Sequence, residues 1–526
     1  MWQVMVKVIK TVQEDEITSG NVKDRHSAPF SPVPERTQFS RSREQTCPDR
    51  TTTWKQKALS PLWWQERILK ARAGGGLGIV CRTQAFMALL LLGLNLPRAK
   101  SDCEFFESEK LCVCSLLEES EMQNFFDCLQ ATTYELRGGN LEQFAAFYQM
   151  EPPPHLIDIL EVLQVRKLVF TDLIVPEVLL PGALEFASHP LQLSEIEFVN
   201  CTFLRMGSQR QTGRPSPLRV SSLRFHKATA DSLADRCDEL SGVSRWLEIL
   251  KNLTLTESQI TSIPCKIGQM FVGLHSLDIS GNYFQDESIK SSFCHGAFPE
   301  LQVLKLRHNQ LTSYHAVCET IGPLNMLTHL DLSQNNFSTG FSSSAQCTWP
   351  QSLRVFNLSG TGLEHMEWSL PPNLEVLDLS ANSIITLDLS LPALKELYLS
   401  NNRLQAVPPL KNLPGLEVLS VDQNQISHLP SKSLLQLKHL QILQAGHNLY
   451  NCSCPYAWEL RDLASKLPAL TNWPDDYTCR FPLHHRDSLV KNMSSSPLQC
   501  SQAVVTHASA VILLSSLHLF FCLFLI

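Results

Sequence analysis

The sequence predicts an α/β solenoid: a curved horseshoe of stacked turns, with a parallel β-sheet on the concave face and disulfide-bonded caps at both ends. Three observations lead there. One leucine pattern recurs at spacings of 20 to 27 residues. Fourteen of the 17 cysteines fall between Cys103 and Cys500 and crowd toward the two ends of the repeating region. Outside that region lie two apolar segments that read as targeting signals rather than core.

The pattern is L-x-x-L-x-L-x-x-N-x-L, the leucine-rich repeat. It is plain in Leu274, Leu277, Ile279, Asn282 and Phe284, and again in Leu301, Leu304, Leu306, Asn309 and Leu311. The Asn column continues at 335, 382, 402, 424 and 448, with Thr361 in its place between 335 and 382. Earlier turns are degenerate: Leu250, Leu253, Leu255, Ser258; then Val220, Leu223, Phe225. Before them come Leu193, Ile196, Phe198, Cys201 and Val165, Leu168, Phe170, Leu173, giving about eleven turns over 165–448. Within each unit L-x-L alternates apolar and polar residues, which is the signature of a short strand with one face buried. One turn cannot cover its own leucines, so neighbours must stack into a continuous core. The Asn side chain is expected to bond backbone groups in the turn after each strand, where no ladder serves them.

The flanks differ from the repeats in kind. Residues 1–101 carry 16 Lys and Arg against 8 Asp and Glu, whereas 102–501 carry 28 against 43. Residues 1–86 lack a sustained apolar period and read as a disordered or untranslated extension. Residues 87–101 read as a signal peptide: the run 85–97 is too short to span a bilayer comfortably, and Ala99-Lys100-Ser101 offers small residues for cleavage before Asp102. A cytoplasmic head with 85–97 as a short anchor is the alternative. At the other end, 502–526 is apolar and closes without Lys or Arg, which reads as a glycosylphosphatidylinositol-attachment signal. Ser501 is the expected attachment residue, Ser494-Ser495-Ser496 the rival, and a retained tail helix the competing reading.

Two caps are expected, an N-terminal cap and pocket region at 102–164 and a cysteine-rich cap at 449–501. A solenoid exposes core at each end and needs both. Cys103, Cys112, Cys114 and Cys128 allow three pairings; a Cys112–Cys114 bond would be strained, which leaves two. Cys452-Ser453-Cys454, followed by Cys479 and Cys500, resembles the cysteine-rich flank of extracellular leucine-rich-repeat proteins. That resemblance implies Cys452–Cys479 and Cys454–Cys500.

The acidic bulk excludes nucleic acid, whose phosphates demand a basic face. No nucleophile elbow, zincin or phosphate-loop motif is present, so no enzyme, cofactor or metal is expected. What remains is binding. C-x8-C-x-C-x13-C opens the mature region, followed by Gly138-Gly139-Asn140-Leu141-Glu142-Gln143-Phe144 and Val165-Arg166-Lys167-Leu168, with Cys265, Cys294, Cys318 and Cys347 between later repeats. This arrangement resembles the monocyte differentiation antigen family, glycosylphosphatidylinositol-anchored co-receptors for bacterial lipopolysaccharide. The resemblance implies Cys103–Cys114, Cys112–Cys128, Cys265–Cys294 and Cys318–Cys347; Cys201 and Cys237 remain and are paired with each other. It departs from that family in its basic head and in a C-flank closer to that of a Toll-like receptor, which suggests a non-mammalian member.

A cell-surface pattern-recognition co-receptor of innate immunity follows from that resemblance. It implies lipopolysaccharide and other acylated bacterial lipids as ligands, with lipopolysaccharide-binding protein, a Toll-like receptor complex and the membrane as partners, and it leaves room for a homodimer. The family's pocket would be lined here by Leu136, Leu141, Phe144, Phe147, Leu160, Leu168, Phe170, Val178, Leu179 and Leu184, with Arg166 and Lys167 at its rim. A 12-carbon chain buried there could contribute on the order of 10 kcal/mol before ordering costs. Sequons at Asn200, Asn252, Asn336, Asn357, Asn451 and Asn492 mark glycosylation sites. Asn252 and Asn357 lie in strands, where glycans would obstruct the concave face. This weighs against the rival reading, an adhesion or matrix protein that binds a protein partner there.

Overall fold

The structure, a computed structural model, describes residues 102–115, 128, 130–141, 164–176, 192–204, 220–230, 244–338, 348–365 and 369–493. The expected signal peptide, the apolar tail, Ser501, Cys237, Cys347 and Cys500 lie outside these residues.

Seventeen strands join in one sheet. From Leu111–Ser115 onward every neighbour in that sheet is parallel, because each turn repeats the direction of the last. In the regular turns the strands are only three residues long: Ser276–Asp278, Val303–Lys305 and His329–Asp331. Their register aligns Leu277 with Leu304 and Leu304 with Leu330. Each of these leucines points into the coil and is buried, while its neighbours on either side face the concave surface.

The outer side of the coil varies with turn length. Between Asn282 and Asn309 there is room for the helix Asp286–Ser292, and between Asn309 and Asn335 for Tyr314–Ile321. The shorter turn from Asn382 to Asn402 carries no helix. Ile289, Val317 and Ile321 seal the core from the helical turns.

The Asn column stitches each turn to the one before. Asn282 donates from Nδ2 to the carbonyls of Leu255 in the preceding turn (2.6 Å) and of Ile279 in its own (2.9 Å). Its Oδ1 accepts from the amides of Ser258 (3.1 Å) and Ile260 (3.0 Å). Asn335, Asn402, Asn424 and Asn448 likewise donate to the previous turn and to their own. Immediately before each column residue the chain enters the left-handed region, at Gly281 and Gly360 but also at His308, Gln334, Ala381, Asn401, Gln423 and His447. A side chain there is disfavoured by about 1 kcal/mol. The bonds of the adjoining Asn hold the turn in that shape.

Cysteine bonding fixes the ends. Cys103 is bonded to Cys114 and Cys112 to Cys128 within the first hairpin and the turn beyond it. Cys265 is bonded to Cys294 and Cys452 to Cys479, and Cys318 and Cys454 are also in disulfides. The pairing of Cys201 with Cys237 is corrected. Cys201 is a free, buried thiol. It occupies the Asn column, and its Sγ donates to the Phe170 carbonyl (3.2 Å) and the Val199 carbonyl (3.5 Å). Phe170 stands in the preceding turn where Leu255 stands for Asn282, so the thiol performs the stitching role of the missing amide. Burial pushes its pKa up to about 11, which keeps it a protonated donor.

In the C-terminal cap the helix Tyr456–Lys466 buries Ala457, Leu460 and Leu463 against the last turn. Tyr450 and Tyr477 stack beneath it with centroids 5.7 Å apart. Burial raises both phenols above their ordinary value of 10. The folded chain therefore holds them neutral while the unfolded chain ionises them, so their stabilisation is complete below pH 10 and declines as pH rises above it. The thermal midpoint is expected to fall above pH 10, less steeply in Tyr477→Phe. A fall unchanged by that substitution would remove Tyr477 as a cause.

Candidate functional site

The first turns carry two different surfaces on the same strands. On the inner side one row runs Tyr134, Leu168, Ile196, Leu223, Leu253 and Leu277. The next row runs Leu136, Phe170, Phe198, Phe225 and Leu255. From Ile196 and Phe198 onward these residues are at most 2% exposed. Leu136, Leu168 and Phe170, in equivalent positions, are only half-buried. Phe170 stacks on Phe198 at 5.0 Å, and Phe198 on Phe225 at 5.1 Å, with Phe203 edge-on to both of the latter. Phe170 is thus the accessible end of a ring column. Tyr134 directs its hydroxyl to the Cys128 carbonyl at 2.6 Å, which satisfies its polar end and leaves the ring among apolar neighbours. Such a lining has nothing to offer a polar ligand and much to offer a hydrocarbon.

Of the residues expected to line a pocket, Leu136, Leu168 and Phe170 share this inner wall and Leu141 is buried beside it. Phe144, Phe147, Leu160, Val178, Leu179 and Leu184 lie outside the described residues. At the expected rim, Arg166 is exposed. Lys167 points to the concave face instead, its ammonium 3.1 Å from Glu195 and 2.5 Å from Glu197. Burial works against the Lys167 charge, but bonds to Glu197 and Glu195 outweigh it and raise the pKa.

Those contacts belong to a charged ladder that pattern reading missed. Arg224 reaches Glu195 at 2.9 Å. Glu135 accepts from Arg137 at 2.6 Å and from Thr171 at 2.7 Å. Burial raises the Glu135 carboxyl, yet the bonds from Arg137 and Thr171 prevail and hold it below the ordinary carboxylate range. The signal was available once register is known: Lys167 stands opposite Glu195, and Glu197 opposite Arg224. A separate hollow lined by Thr261, Tyr283, Gln285, Ser288 and Gln310 lies several turns away.

Comparison with known proteins decides the fold family. A model described as "Leucine Rich repeats (2 copies)" matches residues 372–412 and 392–431, and one described as "Leucine Rich Repeat" matches 326–347. The fold is a leucine-rich-repeat solenoid. Toll-like receptor 2 of Mus musculus is 33% identical over 392 residues, covering 73% of this chain and 48% of that protein. Toll-like receptor 2 type-2 of Gallus gallus is 30% identical over 346 residues, covering 65% of this chain and 43% of that one. The chain thus spans about half the length of the curated relatives it matches. Among solved structures, a leucine-rich-repeat protein of Leptospira interrogans is 21% identical, covers 65% of this chain and 90% of that one, and has a TM-score of 0.42.

The curated relatives overturn the resemblance to the monocyte differentiation antigen family: the receptors this leucine-rich-repeat chain is similar to are Toll-like receptor 2 proteins. Leucine repeats are common to many families and could not separate the two. The C-flank could, and Cys452-Ser453-Cys454 with Cys479 was the feature that departed from the expected family.

Among the described residues, no helix is long and apolar enough to cross a membrane. The sequons are distributed unevenly. Asn200, Asn336 and Asn492 are exposed away from the regular strands, and Asn451 is half-buried at the cap. Asn252 is exposed on the concave wall; Asn357 shares that wall, half-buried, and accepts from the Ser359 amide at 2.9 Å.

Proposed function

We propose that this chain is the ligand-gathering part of a cell-surface pattern-recognition receptor of innate immunity, held at the membrane by its C-terminal end. It captures acylated bacterial lipids at the inner wall of its first turns. The observation that carries this reading is the incomplete burial of Leu136, Leu168 and Phe170, whose counterparts in later turns are sealed. Similarity to receptors bearing the name Toll-like receptor 2 supports a role in recognition, and a Toll-like receptor complex is the partner to which such a ligand would be presented. Acyl chains entering beside Phe170 would leave water for a lining without unmet hydrogen-bonding groups, while Arg166 would meet an anionic head group. Glycans at Asn252 and Asn357 would turn large partners away from the concave wall.

The test uses purified chain with a fluorescent lipopeptide or lipopolysaccharide and a series of competitors. Each buried methylene contributes about 0.8 kcal/mol, so shortening an acyl chain by two is expected to weaken competition about tenfold. Fully deacylated competitor should be inert. Equal competition by acylated and deacylated forms would defeat the reading.

A further inference from the structure

The C-terminal cap ends in a loop unlike any other surface of the chain. Cys479 donates its amide to the Ser488 carbonyl at 2.8 Å, and Asp487 donates back to Cys479 at 2.9 Å, so 480–487 project as a closed tip. The Cys452–Cys479 disulfide roots that tip, and the Cys452 amide donates to the Phe481 carbonyl at 2.6 Å. The buried Val490 holds its return limb. At the tip Leu483 is 75% exposed and Phe481 51%, the two most exposed large apolar side chains among the described residues. A rooted loop with Pro482 between them cannot fold these side chains away. Arg480, Arg486 and Lys491 flank them in the sequence with a single acid, Asp487, which lies 3.9 Å from Arg486, whereas the rest of the cap, 449–479, carries two basic side chains against four acidic ones.

From these observations we infer that the 480–487 tip is a membrane-contacting loop, which inserts Phe481 and Leu483 at the boundary between headgroups and acyl chains of a phospholipid bilayer. Apolar tips on a segment with net positive charge suit that boundary, where the side chains leave water and the cations meet lipid phosphates. The distance fits as well. Fourteen residues separate Met493 from Ala508, where the apolar run to Ile526 begins. They extend about 50 Å at most. The inference rests on the proposed membrane attachment of that end, which would confine the cap near the bilayer. Contact at the tip would fix the tilt of the coil above the surface and hence the height at which its first turns meet ligand.

The full chain is reconstituted with vesicles of phosphatidylcholine and phosphatidylserine bearing brominated acyl chains. Tryptophan is introduced by Leu483→Trp and, separately, by Phe481→Trp; Met326→Trp, on an exposed site of the solenoid, is the control. Flotation with the vesicles reports attachment, and loss of the added emission reports contact. The expected result is flotation of all variants, with emission lost at 481 or 483 and kept at 326. If the chain floats and neither loop indole is quenched more than the control, the contact is refuted and attachment stands. Failure to float refutes attachment, and the contact with it.

Discussion

Truncating Phe198 to alanine is expected to destabilise the chain by about 3–5 kcal/mol, the upper range for a buried aromatic. Phe198 is 2% exposed and is the ring on which the early core turns. Phe170 covers one face at 5.0 Å, Phe225 the other at 5.1 Å, and Phe203 meets its edge at 5.3 Å. The strands on either side are pinned by parallel pairing to Phe170 and Phe225, so the hole left behind cannot collapse. Phe170→Ala removes a ring that is only half-buried and should cost less stability while weakening acyl-chain binding more. Urea unfolding of the two variants beside the parent measures the first difference, and lipid competition the second. A Phe198→Ala cost no larger than that of Phe170→Ala would contradict the account of this ring column.

Asn335→Ala is expected to have a comparable effect by a different route. Its Nδ2 donates to Leu306 and Leu332 carbonyls, both at 2.9 Å, and its Oδ1 accepts from the Asn309 and Leu311 amides, both at 3.2 Å. Alanine leaves four backbone groups without this partner inside the coil. Each buried orphan costs about 1–3 kcal/mol, and partial relaxation or entry of water brings the sum to roughly 3–5 kcal/mol. Asn335→Thr should be milder. Thr361 shows how that residue serves the column, donating to the Leu358 carbonyl at 2.7 Å while Asn382 of the next turn accepts the Thr361 amide. Calorimetric unfolding of both variants decides the matter, and an alanine variant as stable as the threonine variant would count against the bonding role.

The regular turns were legible because their physics is periodic: a leucine at every inward position and an amide at every corner leave one architecture that buries the first and satisfies the second. The helices Asp286–Ser292 and Tyr314–Ile321 were not read from the sequence, although the long intervals around Asn309 left room for them. Left-handed corners were hidden as well, since residues such as Ala381 and Gln423 give no sign of a positive φ. Cys201 misled because cysteines in a disulfide-rich chain invite pairing. Its position in the Asn column was the better guide, and a thiol can donate where an amide usually does. The proposed binding wall was read only in part. Leu136, Leu168 and Phe170 announce themselves by alternation, but what distinguishes them is accessibility, and that depends on what packs across the coil and not on their own spacing.

The strand Asp102–Phe106 runs opposite to Leu111–Ser115 beside it, alone in an otherwise parallel series. A stack of near-identical turns has an inherent hazard: its terminal rung offers the same template as every rung before it, so a second molecule could continue the series and seed a fibre. Reversing the outermost rung of the described sheet breaks that repetition, because an incoming turn in the direction of the others would have to pair antiparallel with it. The Cys103–Cys114 bond locks the reversed rung in place. Stacking of a further parallel turn is thereby disfavoured at this end.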